Sequence, residues 1–276
     1  MKEIKQLVKL AILSSGFLLL SISVSDAKPI PTPDHVVVVI MENHSYSNII
    51  GSSAAPYINS LAHNNHGANF SHSHALTHPS QPNYIMLFSG SSQGVKNDGL
   101  PRDAPFSTEN LGAELIAHGK TFGAYSEDLP APGYLGASYH YYARKHDPWV
   151  NWIGAKSFSI PSGVHKPFTS FPTKYNRLPT VSFVIPNLND DMHNGHNPAT
   201  IIRGDNWLKN HLGSYVTWAK THSSLLIVTW DEDDDSRGNQ IPTIFVGQMV
   251  KGGTYNETIN HYSVLRTILG MYRLPS

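Results

Sequence analysis

His35-Val36-Val37-Val38-Val39-Ile40-Met41, followed at once by Glu42-Asn43-His44-Ser45, is the stretch on which the fold turns. A continuous, mostly β-branched run of this length predicts a strand covered on both faces, as in the parallel sheets of α/β proteins. The change to polar residues is abrupt. Ligands of open α/β sheets gather beyond the carboxyl ends of strands, so Glu42 and Asn43 become candidate site residues by position, the alternative being an ordinary loop. The same pattern recurs. Thr121 to Tyr125 runs into Ser126-Glu127-Asp128, and Val181 to Ile185 into Pro186 to His196. Leu225 to Trp230 runs into Asp231-Glu232-Asp233-Asp234-Asp235.

Helical patterns lie between these strands. Pro56 to His63 reads as a short helix, and Thr108 is expected to cap another through Leu111, Leu115 and Ile116, stopped by Gly119. Asp205 to Thr221 is amphipathic near a 3.6 period, and Asn260 is expected to cap a last helix, His261 to Met271. Ile241 to Val246 is a further strand, placed at or near an edge because of Pro242. The class is α/β, a mostly parallel central sheet flanked by helices, without an internal repeat. Pro130 to Lys174 interrupts it with a loop-rich insertion bearing Tyr134, Tyr139, Tyr141, Tyr142, Trp149, Trp152 and Phe158, which reads as a lid or binding wall.

The first 27 of the 276 residues have the order of a secretory signal: Lys2, Lys5 and Lys9, an apolar run from Leu10 to Ser23, then Ser25-Asp26-Ala27. Cleavage after Ala27 would leave residues 28–276 as one domain, secreted or periplasmic, without stable insertion in a membrane. An uncleaved anchor is the alternative, though the run is shorter than the roughly 20 residues a span needs. That mature chain has 17 basic and 18 acidic residues, which gives no electrostatic case for nucleic-acid binding. Cysteine is absent, which excludes disulfides, thiolate metal sites and a cysteine nucleophile. Sixteen histidines favour a polar site, although the cluster His63, His66, His72, His74 and His78 matches no zinc spacing. Oligomeric state is not legible.

Thr77-His78-Pro79-Ser80-Gln81-Pro82-Asn83-Tyr84 sets a serine between prolines ahead of the apolar run Ile85 to Phe88. Pro82 suits a first helical turn, so Ser80 reads as the N-cap of a short buried helix, where a hydroxyl meets free N–H groups and the positive helix end. It is then either a cap alone or a group placed to meet phosphate. Five consecutive acids from Asp231 cannot all be buried and ionised without a counter-charge. Asp233 to Asp235 are expected to be solvated, and Asp231 and Glu232, directly after a buried strand, to belong to a site. A divalent cation would neutralise them.

Val39-Ile40-Met41-Glu42-Asn43-His44-Ser45, then Thr77 to Tyr84, then Thr229-Trp230-Asp231-Glu232, in that order, resemble the bacterial phosphoesterase family of phospholipases C and secreted acid phosphatases, itself similar to the alkaline phosphatase superfamily. Tyr142 to Pro148 and Asn260 to Ser263 extend the likeness. The resemblance implies a phosphate-ester substrate and a divalent metal ion held by Glu42, Asn43, Asp231 and Glu232, with Ser80 completing its shell and acting as nucleophile. One ion is expected and two are possible, with Asp191, His193 and His196 as further ligands or phosphate contacts. By the same resemblance Asn83 donates to a phosphate oxygen, one turn along from Ser80 on the same helix face. His146 and His193 contact the phosphate or protonate the leaving group, and His261 is a weaker candidate.

The chain is far shorter than the family's large phospholipases C, and its acid run replaces their glycine-rich continuation. An acid phosphatase acting on monoesters is therefore the expectation. A phospholipase C or phosphodiesterase is the second reading, and a metal-binding protein without catalysis is the third. Sulfatases of that superfamily use a formylglycine motif that Ser80-Gln81-Pro82 does not match.

Overall fold

The computed structural model describes residues 30–275, so the signal-like leader lies outside the described residues. In chain order the elements begin with β1 (His35–Met41), α1 (Tyr46–Ile49), α2 (Pro56–Ala62), β2 (Gly67–Phe70), β3 (Ser73–His74) and α3 (Ser80–Ser89). The middle of the chain forms α4 (Leu111–Ala117), β4 (Phe122–Ser126), β5 (Ser138–Tyr139), β6 (Tyr142–Ala143), β7 (His165–Pro167) and β8 (Val181–Ile185). It closes with α5 (Ala199–Ala219), β9 (Ser224–Trp230), β10 (Thr243–Val246), β11 (Gly253–Tyr255), β12 (Ile259–Asn260) and α6 (His261–Met271).

Eight strands form one sheet in the order β11-β2-β10-β9-β1-β8-β4-β7, with β1 near the middle. β1 pairs in parallel with β8 and β9, β4 with β8 and β7, and β11 with β2; only β10 runs against its neighbours. The architecture is the α/β class expected from the sequence. One correction concerns β10. It is interior, paired on both sides, because Pro242 falls just outside its span Thr243–Val246 and leaves the ladder donors intact. Its second neighbour, β2, has the sequence Gly-Ala-Asn-Phe, which carries no strand periodicity.

Strand alternation sorts the core into two layers. Val36, Val38 and Ile40 face the layer of α3, α4 and α6, while Val37, Val39 and Met41 face α2 and α5. The parity continues past the strand ends. Glu42 follows Ile40 in register, and Asp231 follows Leu225, Ile227 and Thr229, so both turn toward α3.

Helix α3 is buried through Phe88 and closes on Gly90, whose left-handed φ of 71° returns an N–H to Met86 O. Its start differs from expectation. Pro79 holds the cap position in extended backbone, and Ser80 is the first helical residue, its hydroxyl making no cap bond. The helix expected behind Thr108 is capped instead by Asn110, whose side chain accepts from Ala113 N. Helix α5 begins earlier than its amphipathic stretch, at Ala199. Asn260 caps α6 in a reciprocal box with Ser263. In the insertion, Tyr142, Trp149 and Trp152 are core, whereas Leu135, Tyr139, Tyr141 and Phe158 are exposed. Among the described residues no helix is long and apolar enough to cross a membrane.

Candidate active site

The carboxyl ends of β9 and β1 and the loop that follows β8, neighbours in the sheet, are stitched together by backbone bonds, Asp231 N–H to Met41 O at 3.0 Å and Glu42 N–H to Asp191 O at 2.8 Å. Asn43 turns the chain at φ 49° and donates its N–H to Asp231 Oδ1. Above these ends lies the start of α3. Ser80 Oγ is 3.1 Å from Glu42 Oε2 and 3.1 Å from Glu232 Oε1, and its one proton serves one of them at a time. The hydroxyl thus points across to the strand ends, not down its own helix. Tyr84, four residues on and on the same helix face, donates to Glu42 Oε1 and stacks on His146 at 4.9 Å between centroids.

Glu42, His146 and Asp191 are all buried and offer ligand atoms within 4.8 Å of one another. His146 Nε2 lies 3.1 Å from Glu42 Oε1 without the angle of a hydrogen bond. The compact group therefore contains two residues expected in other roles, His146 as a phosphate contact and Asp191 as an optional ligand. A second group, His78, Asp233 and Asp235, opens to the surface, and His78 Nδ1 also reaches Glu232 Oε2 at 2.8 Å.

Four acids, Glu42, Asp191, Asp231 and Glu232, are thus buried together. Burial, with Asp231 and Asp191 as neighbours, holds Glu42 well above the carboxylate range, and burial does the same to Asp191. Burial and then Glu232 raise Asp231 to about 7, and burial raises Glu232 to about 7. Lys145 is the cation felt by Glu42, Asp191 and Glu232. Burial alone would lower Lys145, but Glu42 and Asp98 hold it above its usual value. Burial also lowers His146 and His193, and brings His261 to about 4, so the imidazoles are neutral near pH 7, the form that ligates metals.

The residues fit a divalent cation. Asn43 Oδ1, His146 Nε2, Asp191 Oδ2 and Asp231 Oδ2 are buried without hydrogen-bond partners, and oxygen donors with one imidazole suit such an ion.

Other expected residues sit differently. Asn83 spends its amide on the chain before α3: Nδ2 donates to Thr77 O at 2.7 Å, while Oδ1 accepts from Leu76 N and Thr77 N. It braces that turn instead of offering a free donor to phosphate. His193 is half-buried beside His146, 6.1 Å between rings, and its N–H donates to Asp191 Oδ1. His196 is exposed and belongs to neither carboxylate–imidazole group, because its loop turns outward before α5. His261 is buried and donates from Nε2 to Asp231 O at 2.7 Å, holding the end of β9. Asp233 is buried, not solvated, because its carboxylate accepts from Asp235, Arg237 and Asn239 N–H.

With this geometry in place, the comparisons decide the family. Residues 52–275 match the model of the Phosphoesterase family. The chain belongs to that family. It is 50% identical over 251 residues to the phosphatidylinositol-3-phosphatase of Mycobacterium tuberculosis, covering 90% of this chain and 80% of that one. It is 30% identical to a phosphate-repressible acid phosphatase of Penicillium chrysogenum, over 73% of this chain and about half (51%) of that relative. A solved structure from Vibrio parahaemolyticus, in the alkaline phosphatase superfamily, superposes with a TM-score of 0.60 at 14% identity, covering 87% of this chain and 66% of that one. The fold is that of the superfamily, and the chain is a hydrolase acting on phosphoric esters.

Against this family background, three site features escaped the sequence reading. Tyr84 had a signal, since it stands four residues after Ser80. Lys145 and Asp98, joined at 2.8 Å, had none, because loops bring them together. Asp98 also accepts from Gln81 N–H at the start of α3, so one helix-end donor expected to be free is occupied. The third is Asp147, fully buried, which accepts from Ser126 Oγ at 2.8 Å and faces His165 Nε2 at 2.8 Å. It anchors the chain next to His146 on the ends of β4 and β7.

Proposed function

We propose that the chain is an exported, metal-dependent phosphomonoesterase of the acid phosphatase type, with Ser80 as nucleophile. The observation that carries the reading is the Ser80 hydroxyl, buried at the start of α3 and aimed at Glu42 and Glu232 amid carboxylate oxygens that lack partners. Glu42, Asp191 and His146 would hold a divalent ion, with Asn43, Asp231 and Glu232 bordering it. When bound, it would lower the pKa of the serine hydroxyl and screen charge on the phosphate.

Ser80 Oγ attacks phosphorus, the Oγ–P bond forms as the ester P–O bond breaks, and the hydroxyl proton has Glu42 and Glu232 as acceptors. The departing ester oxygen takes a proton from water, and water then cleaves the phosphoserine, its oxygen joining phosphorus as the carboxylate's proton returns to Ser80 Oγ. Lys145 supplies positive charge beside the phosphate, and His193, at the rim, serves the phosphate or the leaving oxygen. His261 and Asn83 act through others, one holding the end of β9 and one the turn before α3. The M. tuberculosis relative is named for a phosphoinositide, which supports a phosphomonoester on a lipid headgroup as a substrate class. Export rests on the signal-like leader.

Ser80→Ala is expected to lower turnover of p-nitrophenyl phosphate by roughly three or more orders of magnitude, with unchanged far-UV circular dichroism and melting temperature. Undiminished turnover would overturn the reading. A purely metal-binding protein would instead release no phosphate in either form.

A further inference from the structure

From Leu129 to Ala143 the chain contains no Asp, Glu, Lys or Arg, although 14% of the whole is charged. This segment carries the hairpin of β5 and β6, which pair antiparallel through Ser138–Ala143 and Tyr139–Tyr142. The hairpin is held in place. Tyr142 is buried, Tyr134 stands edge-on to it, and Arg144 N–H closes the base on Ala137 O at 3.0 Å. Leu135, Tyr139 and Tyr141 of this segment are exposed by 47, 46 and 49%, and His140 at the turn between the tyrosines is exposed as well.

The hairpin also borders the site. Tyr141 O accepts from Leu188 N–H at 2.9 Å, and Leu188 leads into the segment bearing Asp191 and His193. From Ala143 the chain passes directly to Lys145 and His146. An uncharged, hydroxyl-tipped aromatic surface suits the boundary of a bilayer, where a tyrosine ring lies among lipid and its hydroxyl stays among headgroups. With 17 basic and 18 acidic residues beyond the leader, the exported chain as a whole has no net electrostatic attraction to anionic lipid, so this contact would be apolar in origin.

The geometry points to the β5–β6 hairpin as the surface by which the protein rests on a phospholipid membrane, presenting a membrane-borne phosphomonoester headgroup to Ser80. This rests on the phosphatase reading of that site. The test compares wild type with the double variant Tyr139→Ser/Tyr141→Ser. Three readouts are taken: cosedimentation with phosphatidylcholine vesicles containing phosphatidylinositol 3-phosphate, phosphate release from those vesicles, and turnover of the dibutanoyl analogue and p-nitrophenyl phosphate in solution. Loss of two interfacial tyrosines is expected to lower cosedimentation and vesicle hydrolysis by about tenfold while leaving both soluble substrates unchanged. Wild type that does not cosediment, or a variant that binds vesicles equally well, would overturn the proposal. So would light scattering showing that the hairpin joins two copies of the chain while vesicle binding is unaffected. Absence of soluble turnover in wild type would strike the phosphatase reading instead, and cosedimentation, which needs no turnover, would still decide the hairpin.

Discussion

Glu42, Asp191, Asp231 and Glu232 at the strand ends, and Asp233 and Asp205 outside them, are all buried carboxylates, but their oxygens are spent in opposite ways. Asp233 accepts three backbone N–H bonds, and Asp205 accepts from Tyr57 N and Ile58 N. In the strand-end group Asp191 Oδ2 and Asp231 Oδ2 have no hydrogen-bond partner. The first kind of acid ties the chain together, and replacing it should loosen the fold. The second kind crowds negative charge in a desolvated place, so removing one charge should relax the metal-free fold and harm the chemistry.

The largest effect is expected at Asp231. Asp231→Asn should lower phosphatase turnover by roughly a thousandfold, as loss of an electrostatic or metal contact does. In chelated protein the same change should raise the melting temperature. A fall in both would break the contrast, because Asp231 would then be a tie like Asp233.

Next comes the response to metal. After exhaustive chelation, a divalent ion at a hundredfold excess over its Kd should stabilise the fold by about 2.7 kcal/mol, a rise of roughly 5–10 °C in calorimetry. Asp191→Asn should abolish that rise, and Asp235→Asn, on the surface group, should leave it intact. Abolition by both would mean that the His78 group shares the ion.

Asp233→Asn should act with the opposite sign to Asp231→Asn. An amide keeps one oxygen and turns two N–H hydrogens toward backbone donors, costing about 2 kcal/mol in urea denaturation, the loss of charge-assisted bonds. Turnover in the folded fraction should change far less than in Asp231→Asn.

The same contrast explains what was legible in the sequence. β1 and β9 could be read because apolar runs end in acids within one or two residues, and strand parity then aims Glu42 and Asp231 toward α3. Helix α6 could be read because Asn260 and its period agree. The burial of Asp233, expected to be solvated, could not be read, since what buries it is the loop closing back through Arg237 and Asn239. Nor could Asp147 with Ser126 and His165, or Lys145 with Asp98, whose pairings are made by tertiary closure of loops. Asn83 lay on the expected helix, but its rotamer serves the turn behind it.

The smallest expected effect is at Asp205, and it tests whether a tying acid still bears a cost of burial. Helix α2 begins after Ala55, which has no side chain to cap it, and Asp205 of α5 supplies the missing acceptor from 147 residues away. Burial raises its pKa, against the two backbone bonds that lower it. An acid raised on folding holds its proton more tightly in the native state, so its stabilising contribution is complete below the unfolded pKa and declines as pH rises through the folded one. Asp205→Asn has no such titration. It should cost about 1 kcal/mol, the value of a helix cap, and the deficit should be largest near the acid end and shrink toward neutrality when urea midpoints of the two proteins are compared across pH. A deficit that grows with pH would mean that the ionised carboxylate is the favoured form, and that the bonds from Tyr57 and Ile58 outweigh desolvation after all.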